Sequence, residues 1–167
     1  FYYEVLGLEI SEIENDKIKI KVGTTDLIFI EEKSSDPYYH FAINIPENQI
    51  NEAIEWLKPK VDLIEYDSSL IIDFPNWNAH SVYFYDPAGN IVELIARHDL
   101  KNASDEPFSA KSFLNISEIG MPVPDVKIIH DELNENFGEK LWSGNLDTFA
   151  AIGDQNGLFI VVTTHRN

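Results

Sequence analysis

The sequence contains no cysteine, which removes structural disulfides, thiolate metal sites and cysteine nucleophiles together. Any chemistry must come from histidine, carboxylates, tyrosine or a bound metal. Positive charge is also scarce: 12 Lys and Arg stand against 29 Asp and Glu, giving a formal net charge of −17 and a sequence pI near 4.4. That field repels phosphate backbones and anionic lipid headgroups, so nucleic acid is not expected as a partner, and the acidity reads as a solvated, solubilising surface. No run approaches the roughly 20 apolar residues of a membrane span, and no basic-then-apolar leader is present. No membrane partner is expected, and a cytoplasmic location is the default. What is present is 44% apolar and 12% aromatic residues in a chain of 167, enough to bury one large core or two small ones.

Phe1 to Gly7 reads as the last turns of an amphipathic helix closing on a glycine cap, so a segment is expected before Phe1. Lys17 to Val22 alternates polar and apolar residues, Gly23 to Asp26 has turn chemistry, and Leu27 to Glu31 is a second strand, making a hairpin. After Ser34 to Pro37 comes a strand at His40 to Ile45. A helix follows, with Ile50, Ala53, Ile54 and Leu57 on one face and Pro59 at its end. From Val61 the period returns to two: Leu63 to Tyr66, Leu70 to Ile72, Ser81 to Tyr85, a turn at Asp86 to Asn90, then Ile91 to Ala96. The order is β-α-β-β-β. Asp99 to Lys111 reads as a polar connector, after which a strand at Ile116 to Val123, a helix capped by Asp125 and running to Gly138, a short edge at Lys140 to Ser143, and strands at Thr148 to Gly153 and Leu158 to Thr163 repeat the plan. The expected organisation is therefore two βαβββ modules over 1–100, the first truncated at its N-terminus and the second spanning 38–100, a linker at 101–111, and a third, βαβββ-like module over 112–167.

Local sequence adds to this order. Tyr83-Phe84-Tyr85-Asp86-Pro87-Ala88-Gly89-Asn90-Ile91-Val92-Glu93-Leu94 resembles the strand-turn-strand signature of the vicinal-oxygen-chelate superfamily, the glyoxalase, bleomycin-resistance and extradiol-dioxygenase proteins. His40 to Asn44 resembles the first strand of the same module, and Phe1 to Leu8 resembles the end of the preceding module's helix. The resemblance implies an α+β fold in which tandem modules form a U-shaped mixed sheet with helices outside and a metal on the concave face. Side-chain parity agrees: His40, Ala42 and Asn44 point one way, Phe41, Ile43 and Ile45 the other, and Glu93 shares a face with Ile91 and Ile95.

The resemblance makes His40 and Glu93 the expected metal ligands. Imidazole and carboxylate suit Fe(II), Mn, Zn or Ni, and two His with one carboxylate form the facial triad of non-haem iron oxygenases. The plainer reading of the same residues is a hydrogen-bonded strand histidine and an edge carboxylate paired with Arg97 or a lysine. By the family pattern the third ligand comes from a strand before Phe1, and the fourth position of glyoxalase-type members falls near Phe29, with neither Glu31 nor Glu32 in register, which disfavours a four-ligand site. Tyr83, ten residues before Glu93, is the expected pocket phenol, able to hydrogen-bond an anionic ligand oxygen or act as an acid. His80 is the second candidate catalytic residue; Trp77 and His98 are candidates for the pocket edge. In the third module Glu118 replaces the family's strand histidine and alignment of the turns puts Val161 where Glu93 stands, so this module is expected to be structural.

Two functions follow from the resemblance. One is a divalent-metal-dependent enzyme that captures the vicinal oxygens of a small molecule, of the ring-cleaving dioxygenase or fosfomycin-resistance kind. The other is a metal-free protein that sequesters a small molecule, as bleomycin-resistance proteins do. Exposed sheet edges make a homodimer the expected assembly.

Overall fold

The computed structural model of the chain describes residues 1–164, which fall into two compact units, the first Phe1–Ile116 and the second from Ser117 onward. In the first unit, residues 1–8 form helical turns: Val5 N–H donates to Phe1 and Gly7 N–H to Tyr3. Gly7 then takes φ +71°, a left-handed geometry that favours glycine. Three antiparallel strands follow, β1 (Glu9–Ile13), β2 (Lys17–Val22) and β3 (Thr25–Ile30), in the order β1-β2-β3. The expected hairpin is β2 and β3. Strand β1 is additional: a register shift between Ile10 and Glu12 breaks its alternation and hides it from a period-two reading.

The rest of the first unit is a complete β-α-β-β-β module: β4 (His40–Ile45), α1 (Ile50–Leu57), the short β5 (Leu63–Ile64) and β6 (Ile72–Phe74), β7 (Ala79–Tyr85) and β8 (Ile91–Arg97). The β5 and β6 strands both pair with β7, β7 runs antiparallel to β8, and β8 runs parallel to β4. Helix α1 buries Ile50, Ala53, Ile54 and Leu57 and packs on β7 and β8. Phe41, Ile43, Val82, Phe84, Val92, Leu94 and Ala96, all 3% exposed or less, share the sheet face beneath it. Fully burying one such side chain stabilises the fold by about 1.5–3 kcal/mol, so this layer specifies strand parity. The opposite face carries a smaller cluster of Ala42, Ala79 and Ile95 with Phe74 and Trp77 packed on it. The polar segment after β8 is tied to the start of α1, where Glu47 N–H donates to Asn102, Ser104 N–H donates to Asn48, and the Gln49 amide donates to the Glu106 carbonyl. Phe108 and Phe113 pack edge-on against Trp56.

Strand β9 (Asn115–Val123) begins at the end of the first unit and continues as the first strand of the second, which adds α2 (Val126–Phe137), β10 (Leu141–Asn145), β11 (Phe149–Asp154) and β12 (Gly157–Thr163). The order is β10-β11-β12-β9, with β12 parallel to β9, so the β-α-β-β-β plan recurs. Asp125 caps α2 by accepting from Ile128 N–H, and Gly138 ends it at φ +76°. Val123, Val126, Ala150, Ile152 and Val161 form the core. No helix among the described residues is long and apolar enough to cross a membrane.

Candidate metal centre

The signature turn explains how the site is aligned. Asp86 is buried, and its carboxylate accepts from Ala88 N–H, Asn90 N–H, the Asn90 side-chain amide and the Tyr2 hydroxyl at 2.7–2.9 Å. Burial and the adjacent Asp86 charge both push the Tyr2 phenol well above its ordinary range. Asn90, held in this way, accepts from Tyr39 N–H at 2.7 Å, while Ile91 N–H donates back to the Tyr39 carbonyl. The starts of β4 and β8 are thereby clamped in register, His40 beside Ile91 and Ala42 beside Glu93.

That register decides the chemistry of His40. Its Nδ1 lies 3.2 Å from the Ile91 carbonyl oxygen, and a carbonyl only accepts, so Nδ1 carries the proton. In the neutral ring Nε2 is then the lone-pair nitrogen, and it faces Glu93 Oε2 at 3.4 Å. The other Glu93 oxygen accepts from the Ser81 hydroxyl at 2.5 Å. Glu93 is 2% exposed; a carboxylate so buried costs several kcal/mol unless it is hydrogen-bonded or held against a cation. A lone-pair nitrogen and a carboxylate oxygen turned toward each other, each with its far side fixed by a hydrogen bond, form an arrangement that a cation, or a proton on Nε2, would complete. A backbone carbonyl on the remote ring nitrogen is also the usual outer-shell partner of a metal-binding histidine.

Tyr83 stands directly across from Glu93 on β7, and its ring centroid is 6.2 Å from that of His40. The structure thus brings His40, Glu93 and Tyr83 to one face. His80 belongs to the other parity of β7: it pairs with Ala96, on the face that carries α1, and its ring meets His98. Trp77 stacks on Phe74, with the Arg97 guanidinium 5.5 Å above its ring. Arg97 Nε donates to Asn44 at 3.2 Å. Phe29 packs on Tyr2, ring centroids 5.1 Å apart. Ser81 was missed in the sequence, although its hydroxyl, two residues from Tyr83, has the right parity to meet Glu93.

In the second unit Glu118 is 4% exposed and lies beside Leu158. Met121 and Val123 pack in the core beneath α2, so alternation turns Glu118 to the other face of β9, as His40 is turned on β4. The register corrects the turn-based alignment. Ile160, not Val161, is the partner of Gly120, two residues after Glu118, and so takes the position that Glu93 takes opposite Ala42. The turn Asp154 to Gly157 is one residue tighter than Asp86 to Asn90, which moves the strand by one step and leaves Val161 in the core.

No protein-family model matches the chain, and no curated protein matches it in sequence. Solved structures do match. A Bacillus subtilis protein assigned as a dioxygenase aligns over 97% of this chain and 57% of its own at a TM-score of 0.69 and 15% identity. Glyoxalase I from Zea mays aligns over 97% and 60% at a TM-score of 0.56 and 16% identity. An integron cassette protein from the metagenome of a sewage outfall in Halifax Harbour aligns over 57% and 83% at a TM-score of 0.50 and 25% identity. The chain spans less than two thirds of the length of the first two, and with them it shares its fold.

Proposed function

We propose that this chain, whose fold is that of the vicinal-oxygen-chelate proteins, is a divalent-metal-dependent enzyme acting on a small molecule with vicinal oxygens, by ring-cleaving dioxygenase or fosfomycin-resistance-like transferase chemistry. The observation that carries the reading is the His40 Nε2 to Glu93 Oε2 approach at 3.4 Å, with Ile91 fixing the tautomer and Ser81 fixing the carboxylate. The imidazole of His40 and the carboxylate of Glu93 suit Fe(II), Mn, Zn or Ni better than soft metals.

An ion held there would supply Lewis acidity toward the substrate oxygens. The protein does the rest. The Ile91 carbonyl and the Ser81 hydroxyl hold His40 and Glu93 in place before binding, and Ala42, Ala79 and Ile95 give that face an apolar floor. Tyr83 is the group that donates a hydrogen bond to an anionic ligand oxygen. A homodimer belongs to the same proposal, because Ile13 and Ile30, at the ends of the edge strands β1 and β3, are each more than 65% exposed; light scattering that finds only monomer counts against it.

The test is metal content after reconstitution, for wild type and the His40→Ala/Glu93→Gln double variant. The expected result is about one tightly held ion in wild type, lost in the double variant. A wild type that retains no more metal than the double variant overturns the enzyme reading in favour of metal-free sequestration.

A further inference from the structure

A second cluster of ligating side chains lies on the opposite sheet face from His40 and Glu93. Where β6, β7 and β8 meet, Asp73 pairs with His80 across the β6/β7 ladder, and His98 follows the end of β8 with its N–H donated to the Asn78 carbonyl. His80 Nδ1 lies 2.7 Å from His98 Nε2, and the two rings meet edge-on with centroids 5.0 Å apart. His80 Nε2 is 3.6 Å from Asp73 Oδ1.

These contacts order the ring protons. The Asp73 carboxylate draws the His80 proton to Nε2, so the neutral ring turns the Nδ1 lone pair toward His98, whose Nε2–H fills the gap. Two imidazoles on adjacent strand ends, one backed by a carboxylate, are the donor set of a transition-metal chelate with its outer-shell partner already in place. With metal–nitrogen bonds of about 2.0–2.1 Å, two nitrogens held at a right angle on one ion are about 2.9 Å apart, close to the 2.7 Å found here. Both rings must tilt so that lone pairs now directed along the line between the nitrogens converge on the ion, and His80, with a side chain 39% exposed, has room to do so. His98 must move its proton from Nε2 to Nδ1, a tautomer exchange that solvent permits at a half-buried ring. A near-right angle favours the octahedral or square-planar preferences of Ni(II) and Cu(II) over tetrahedral zinc.

We propose that His80 Nδ1 and His98 Nε2 form a second, outer-face site for a divalent transition metal, with Asp73 positioning His80, separate from the His40 and Glu93 centre. The site is independent of the proposed activity and survives if that reading fails.

Untagged protein titrated calorimetrically with Ni2+ alone tests it. A His40→Ala variant, which removes the inner centre, is expected still to bind about one equivalent. Adding His98→Gln should weaken that binding at least tenfold, and Asp73→Asn by about tenfold. Circular dichroism and the thermal midpoint establish that each variant is folded. Without any substitution, sub-stoichiometric Cu2+ should broaden the ring-proton resonances of His80 and His98 before those of His130. Binding by His40→Ala that is absent, or that His98→Gln leaves unchanged, overturns the site, as does equal broadening of all the histidines.

Discussion

The module from β4 to β8 and the one from β9 to β12 repeat one plan with opposite interiors. In the first, the turn before the last strand is an oxygen-centred hub, with Asp86 accepting four hydrogen bonds, and the face away from α1 holds a buried carboxylate, an imidazole and a hydroxyl. In the second, the corresponding turn is a tight connection at Asp154 to Gly157, and apolar Ile160 stands where the first module has Glu93. The difference shows that a βαβββ fold does not need the polar hub. The hub is needed where two parallel strand starts must be aligned closely enough to set a histidine tautomer.

The comparison breaks most visibly at the two aspartates. Asp86→Ala leaves several buried donors without their acceptor and should lower stability by roughly 3–5 kcal/mol, whereas Asp154→Ala, at an exposed turn, should cost within about 0.5 kcal/mol. Urea unfolding of the two variants side by side reads the contrast; equal losses would mean that the hub is not special. Next in size is Ile152→Ala in the apolar core of the second module, expected to cost about 2–5 kcal/mol while leaving metal retention at His40 unchanged. Ser81→Ala sharpens the contrast on the polar side. Leaving a buried carboxylate oxygen short of one donor should cost about 1–3 kcal/mol and weaken metal binding by about tenfold, measured by competition with a chelator.

The smallest effect belongs to Tyr2. Its phenol is held protonated in the folded chain by burial and by Asp86, while in the unfolded chain it ionises near pH 10. Its contribution is therefore fully present below pH 10. Above that, the unfolded chain releases a proton that the folded chain keeps, so stability declines with rising pH, at most by about 1.4 kcal/mol per unit. Tyr2→Phe should flatten this alkaline limb relative to wild type; an unchanged slope would show that Tyr2 ionises as freely folded as unfolded.

Much of the fold was legible because two periods are written plainly in the chain. The helical spacing of Ile50, Ala53, Ile54 and Leu57 and the alternation in HFAINI and IVELIA each survive as the elements α1, β4 and β8. Strand β1 was not legible, since its bulge breaks the alternation by one residue. The geometry of the candidate site was legible by half. Parity alone put His40 and Glu93 on one face, and Tyr83 joined them across the ladder. The sequence neighbourhood of His80 suggested proximity to that face, but alternation along β7 turns it away. The assignment of Val161 failed for a related reason: a turn one residue shorter shifts the whole following strand.

What the sequence determined on its own is local. The DPAGN turn, the caps at Asp125 and Gly138 and the alternation of faces all depend on interactions within a few residues, and those are written into residue order. The tertiary structure alone decided which nitrogen of His40 keeps its proton, that Ser81 holds Glu93, and that His80 meets His98. Each of those is a contact between strand neighbours 12, 18 or 51 residues apart in the chain, and a shift of one residue in the pairing of β4, β7 and β8 would exchange the faces and erase it.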